Sequence, residues 1–118
     1  MNIEEFRDYC LRKAHVTESF PFDQHTLVFK VDKKMFALTG LENKPISVNL
    51  KCNPEKSIEL RDLYNEVTAG YHMSKKHWNT IQIDGNLSSS LIKELIDHSY
   101  DLVVKGLSKK RQKELGFI

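Results

Sequence analysis

The sequence predicts an α+β domain in which helices pack on one face of an antiparallel β-sheet, and three observations carry that expectation. Apolar residues recur every three or four positions near both ends of the chain and every second position through the middle, the two periods that separate helix from half-buried strand. Taken in order, the segments are helix, three strands, helix, strand, helix, without the strand–helix alternation that builds a parallel sheet. A chain of 118 residues, 40% hydrophobic and 29% charged, suffices for one core and is short for two. Residues 1–118 are therefore read as a single domain.

Residues 2–14 form the first predicted helix, with Ile3, Phe6, Cys10 and Ala14 at helical spacing and Glu4, Glu5 and Asp8 near its start, where the helix dipole favours acids. Pro21, within Phe20-Pro21-Phe22-Asp23, breaks any continuation. From Thr26 the period becomes two: Leu27, Phe29 and Val31 share one face of a strand, with Val28 and Lys30 on the other. Asp32-Lys33-Lys34 reads as a turn, and Met35 to Thr39 as the second arm of a hairpin that Gly40 ends. Beyond a loop closed by Pro45, Ile46, Val48 and Leu50 alternate with Ser47, Asn49 and Lys51, the clearest half-buried strand in the chain.

Asn53-Pro54-Glu55 has the chemistry of a helix start: Asn caps, Pro fits the first helical position, and Glu faces the dipole. That helix is expected to reach Tyr64, burying Ile58, Leu60 or the stem of Arg61, and Leu63. Residues 66–77 read as an irregular connection around Gly70, residues 78–84 as a strand with Ile81 and Ile83 on one face, and Asp84-Gly85-Asn86 as a turn. Ser88 or a neighbouring serine caps the last long helix, whose stripe is Leu91, Ile92, Leu95, Ile96, Ser99, Leu102 and Val103. Gly106 ends or bends it, and a short basic helix is expected over residues 108–115. One sheet face is then left uncovered and available for function.

Bulk chemistry narrows the function classes. Two cysteines, Cys10 and Cys52, are too few for a disulfide framework and form no Cys-x-x-Cys pair; reduced, packed thiols are expected. Without the basic start and apolar run of a signal peptide, or an apolar stretch long enough for a bilayer, the cytoplasm is the expected location and no membrane partner is foreseen. The net charge of +2 and a pI near 8.5 fall short of a strongly basic nucleic-acid domain. Charge is nevertheless uneven: Lys105, Lys109, Lys110, Arg111 and Lys113 follow one another with no acid between them.

The chain holds no Gly-x-Ser-x-Gly elbow, no glycine-rich phosphate loop and no calcium-loop spacing. His72 and His77 stand five apart outside any His-Glu-x-x-His frame, His15, His25 and His98 are isolated, and Cys52 with His72 lacks a third orienting group. No catalytic residue, metal or cofactor is therefore expected. The segment Gly70-Tyr71-His72-Met73-Ser74-Lys75-Lys76-His77-Trp78-Asn79 mixes cations and rings around a glycine. Such a mixture lets ammonium groups meet phosphates while rings stack on bases; equally, Trp78 fits a core position and the lysines a solvated surface.

Several collinear blocks resemble the MmcQ/YjbR family: Phe20-Pro21-Phe22, Thr26-Leu27-Val28-Phe29-Lys30-Val31, Lys34-Met35-Phe36-Ala37-Leu38, Leu50-Lys51-Cys52-Asn53-Pro54-Glu55, residues 70–79, and Ser99-Tyr100-Asp101-Leu102-Val103. The resemblance implies a frataxin-like α+β arrangement and DNA binding through a surface described as a double wing. The sequence departs from the family pattern at Ala69, where a proline is frequent, and at Asp32-Lys33, which replaces a glycine-bearing hairpin turn.

Two function classes stay open, with a third borrowed from the fold. In the first, the chain is a DNA-binding module in which Lys75, Lys76, His77, Tyr71, Lys30, Lys33, Lys34 and Lys51 meet the nucleic acid, without a base-reading array. In the second, Phe20, Phe22, Tyr71 and Trp78 line a pocket for a small ligand or a protein of unspecified identity. The third supposes iron held by Glu4, Glu5 and Asp8.

Overall fold

The computed structural model describes residues 1–71 and 73–118. The elements are α1 (Ile3–Leu11), β1 (Val16–Ser19), β2 (Thr26–Val31), β3 (Lys34–Gly40), β4 (Ser47–Lys51), α2 (Pro54–Leu63), β5 (Val67–Ala69), β6 (Trp78–Gln82), α3 (Ser89–Gly106) and α4 (Lys109–Glu114). The strands form one antiparallel sheet in the order β1-β2-β3-β4-β6-β5. Helix α3 crosses β2, β3 and β4, while α1 packs on β1 and α2 on β5. The fold class is the expected one.

Local chemistry explains most element boundaries. Asn2 caps α1 by accepting from the Glu5 N–H at 2.8 Å, and the Glu5 carboxylate reaches back to the Asn2 N–H, a capping box. Asn53, Ser88 and Ser108 cap α2, α3 and α4 with the side-chain oxygen alone, accepting from first-turn N–H groups. The strand alternation appears as foreseen: Leu27, Phe29, Val31, Val48, Leu50 and Ile81 enter a common core with Phe6, Leu60, Ile92 and Ile96. Edge-to-face ring pairs stitch the layers, Phe6 on Phe29 at 5.8 Å and Phe36 on Tyr100 at 5.3 Å.

The structure corrects four expectations. Helix α1 stops at Leu11, not at residue 14: His15 takes a left-handed φ of 62°, and the Ala14 carbonyl accepts the Tyr100 hydroxyl at 2.6 Å. Strands β1 and β5 were not expected; each is short and becomes a strand by pairing with β2 or β6. Ile58 and Leu63 are 61% and 72% exposed, because α2 turns Ser57 and Leu60 inward instead. Trp78, foreseen as core, is only half-buried, since β6 turns Asn79 and Ile81 to the core side and Trp78 to the other.

Two irregularities shape the uncovered face. Phe29 pairs with Ala37 but Lys30 with Met35, so Phe36 is an extra residue, a β-bulge. Phe36 and Ala37 consequently both enter the core, and Met35 is turned to the open side. The β2–β3 turn has two residues, Asp32 at φ 48° and Lys33 at φ 68°, the signs of a type I′ turn. Aspartate tolerates that conformation without glycine, and Arg111 clamps its carboxylate through Nε and Nη2 at 2.8–3.0 Å.

Candidate functional site

Alternation along an antiparallel sheet puts the C-terminal ends of β2 and β4 beside the N-terminal ends of β3 and β6. Lys30 and the Asp32-Lys33 turn, Lys34 and Met35, Lys51, and the residues leading into Trp78 therefore fall at one end of the sheet. The pairing register runs Thr17–Lys30–Met35 across the first three strands and Lys51–Trp78 across β4 and β6. Lys34, Lys51 and Trp78 line one cavity of about 290 Å³ with Met35, Leu102 and Gly106. Lys30 and Lys33 line another of about 530 Å³ with His15, Asp32 and Arg111. Among the described residues, no carboxylate lies within ion-pair reach of Lys30, Lys33, Lys34, Lys51, Lys75 or Lys76. Asp32 is spent on Arg111, which holds its carboxyl below the usual range.

Residues 74–78 are held by a network that periodicity does not reveal. The Trp78 N–H donates to Ser74 O at 2.9 Å, and the Cys52 N–H to His77 O at 2.8 Å. From α2, Arg61 Nε donates to Asn79 Oδ1 at 2.8 Å while its Nη2 reaches the carbonyls of Lys75 and Trp78. Buried Asn79 donates in turn to Ser57 Oγ at 3.3 Å. Lys75, Lys76 and His77 are thus displayed to solvent on a backbone fixed from beneath.

A second backbone bridge lies under Lys51. Ser99 Oγ, fully buried on α3, accepts from the Lys51 N–H at 2.9 Å and donates to Phe36 O at 2.5 Å. The β3–β4 ladder stops at Ala37–Leu50, and the bulge withdraws the next strand-to-strand bond; the serine hydroxyl stands in for it.

The four foreseen pocket residues do not meet. Phe20 lines a depression beside Leu41 and Ile3, and Trp78 faces the lysine cavity. Phe22 and Tyr71 alone come together, over an open-face cavity of about 440 Å³ with Met35, Leu38, Asn43 and Asn49. The Tyr71 N–H donates to Thr80 Oγ1 at 3.1 Å, and that hydroxyl donates to Asn49 Oδ1. His72 lies outside the described residues, so its pairing with His77 or Cys52 lies outside them too. Of the iron ligands considered, Glu5 is engaged in the capping box, and no group of three His, Cys, Asp or Glu able to hold a metal occurs among the described residues. Cys10 and Cys52 are buried and free, and burial pushes the Cys10 thiol up.

Comparison with known proteins places this geometry. The YjbR family model matches residues 11–102. The chain belongs to the YjbR family. It is 39% identical over 113 residues to the uncharacterised protein YbdF of Escherichia coli O157:H7, covering 95% of this chain and 92% of that one. To the uncharacterised protein YjbR of Escherichia coli K12 it is 35% identical over 116 residues, 98% of each. The crystal structure of a Deinococcus radiodurans protein with a DUF419 domain superposes with a TM-score of 0.92 at 41% identity, covering 98% of this chain and 88% of that one. A Pseudomonas syringae structure gives a TM-score of 0.74 at 29% identity, covering 86% and 98%. The YjbR-family matches span most of the chain, so the sheet end just described lies largely within the matched residues.

Proposed function

We propose that this YjbR-family chain binds nucleic acid, without catalysis, through the basic end of its sheet. The observation that carries the proposal is the set of six lysines, drawn from the β2–β3 hairpin, β4 and the turn before β6, none of which forms an ion pair with a carboxylate among the described residues. From β2 to β6 the row crosses three strand spacings, roughly 14 Å, enough to meet several phosphates along one strand. Lys105 and α4 extend the basic surface: Gly106 shares the cavity of Lys34 and Lys51, and Arg111 touches the hairpin turn. A surface of lysines without an Arg or Asn array facing base edges suits backbone contact, not sequence readout. The frataxin-like arrangement, the double-wing surface and a cytoplasmic location belong to the same proposal; free, buried Cys10 and Cys52 are in keeping with a reducing compartment.

The test is fluorescence anisotropy with random-sequence DNA at two salt concentrations. Four neutralised phosphates give a log–log slope of about −3.6 on a duplex, a loss of roughly 150-fold between 50 and 200 mM salt. Lys34→Ser with Lys51→Ser should flatten the slope by about 1.8. Absence of binding, or binding indifferent to salt, would refute the proposal.

A second reading, a domain binding a small ligand or a protein, is favoured by the cavity under Phe22 and Tyr71. It expects Lys75→Ser with Lys76→Ser to leave binding unchanged, whereas the nucleic-acid reading expects weakening.

A further inference from the structure

The cation-lined and aromatic-lined cavities adjoin: Met35 is a wall of both. On β4, Asn49 lines the aromatic one and Lys51 the basic one, two residues and so about 6.7 Å apart along the strand, the basic cavity continuing round the sheet end to Leu102 and Gly106 of α3. Above the aromatic-lined cavity, Phe22 and Tyr71 are 64% and 72% exposed. Its floor is apolar, made by Leu38 and Met35. Its polar rim is Thr26, Asn43 and the Asn49 amide, the last with its Oδ1 taken by Thr80 Oγ1, leaving Nδ2 as a donor. The Tyr71–Thr80–Asn49 hydrogen bonds hold aromatic wall and amide in one frame.

An occupant must therefore carry a planar apolar group with hydrogen-bonding edges at one end and negative charge one short step away. We propose that the cavity takes a single unstacked base of a single-stranded nucleic acid, between Phe22 and Tyr71, with the adjoining phosphate against Lys34 and Lys51. This deepens the polyanion reading and rests on it. A paired, stacked base cannot enter such a cavity, whereas a base of a single strand presents a free face and edge at little cost. Charge alone prefers the duplex, which carries more phosphates per unit length; the aromatic cavity is what gives the single strand its advantage.

The experiment compares a labelled twelve-nucleotide thymidine strand, a twelve-base-pair duplex and free thymidine monophosphate as competitor. The parent protein is set against Phe22→Ala/Tyr71→Ala and against Lys34→Ser/Lys51→Ser. The aromatic variant should weaken single-strand binding roughly 5- to 150-fold, the value of one base stack, and leave duplex binding within about two-fold; the lysine variant should weaken both. If the aromatic variant binds the single strand as the parent does while the lysine variant still weakens both, the base site is wrong and the polyanion reading stands. If neither nucleic acid binds the parent, both fall. If the free mononucleotide binds as tightly as the twelve-nucleotide strand, the cavity belongs to a small ligand and the strand is overturned. Should the aromatic variant fail to fold, photo-crosslinking of a 5-bromouracil-substituted strand to the parent decides instead: adducts on Tyr71 or Phe22 support the site, and adducts confined to other residues overturn it.

Discussion

Replacing Ser99 by Ala removes one oxygen and should orphan two backbone groups. The hydroxyl accepts from the Lys51 N–H at 2.9 Å and donates to the Phe36 carbonyl at 2.5 Å, in a part-buried and a buried setting respectively. An unsatisfied buried backbone group costs about 1–3 kcal/mol; two of them, one partly reachable by water, come to about 2–4 kcal/mol. With a urea dependence of about 1.3 kcal/mol per M for a chain of this size, the unfolding midpoint should fall by roughly 1.5–3 M. Chemical denaturation followed by circular dichroism measures it, with Ser90→Ala, an exposed serine of the same helix, as a control expected within about 0.5 kcal/mol of the parent. A Ser99→Ala midpoint within about 0.4 M of the parent, at unchanged slope, would refute the claim that the serine replaces a missing ladder bond at the bulge.

Three further outcomes are expected. Lys33→Gly, at φ 68°, should stabilise the chain by about 0.5–1 kcal/mol by relieving the left-handed conformation, while weakening nucleic-acid binding through the lost cation; a lower melting temperature would contradict the turn assignment. His98 Nε2 accepts from the Asn53 N–H at 3.1 Å, and burial, aided by Lys56 and Lys105, lowers its pKa. With the folded value below the unfolded value of about 6.5, its contribution is complete above that pH and is lost as pH falls through the lower folded value. The urea midpoint should accordingly decline on acidification from neutrality, more steeply than in His98→Gln, and an equal decline in the variant would remove His98 from the account. Leu63→Ser should shift stability by no more than about 0.5 kcal/mol, against about 2–4 kcal/mol for Leu60→Ala; equal losses by thermal melt would put Leu63 back into the core.

Local chemistry alone was enough for much of this molecule. The alternation in Ile46–Lys51 and Thr26–Val31 separates core from open face because successive side chains of a strand point oppositely, and the structure keeps that division. Caps at Asn53 and Ser88 were legible because the side chain and the amide it satisfies are two or three residues apart. The family could be recognised from collinear blocks, and the six lysines of the candidate site could be named before any fold was known.

What stayed hidden has a common cause: it depends on partners distant in sequence. Val16–Ser19 and Val67–Ala69 are too short to show a period and become strands by pairing with β2 and β6. In α2 Ile58 lies on the far side from Leu60, while Leu63, one turn on from Leu60, falls at the helix's last position and stays in water, so only docking could decide which residue entered the core. The bridges from Ser99 to β3 and β4 span 63 and 48 residues, and the clamp from Arg111 to Asp32 spans 79. Chemistry at each position was thus written locally, but proximity was not. The order of strands in the sheet decided that Lys30, Lys34 and Lys51 share one end, that Trp78 joins them, and that Phe20 does not join Phe22 and Tyr71.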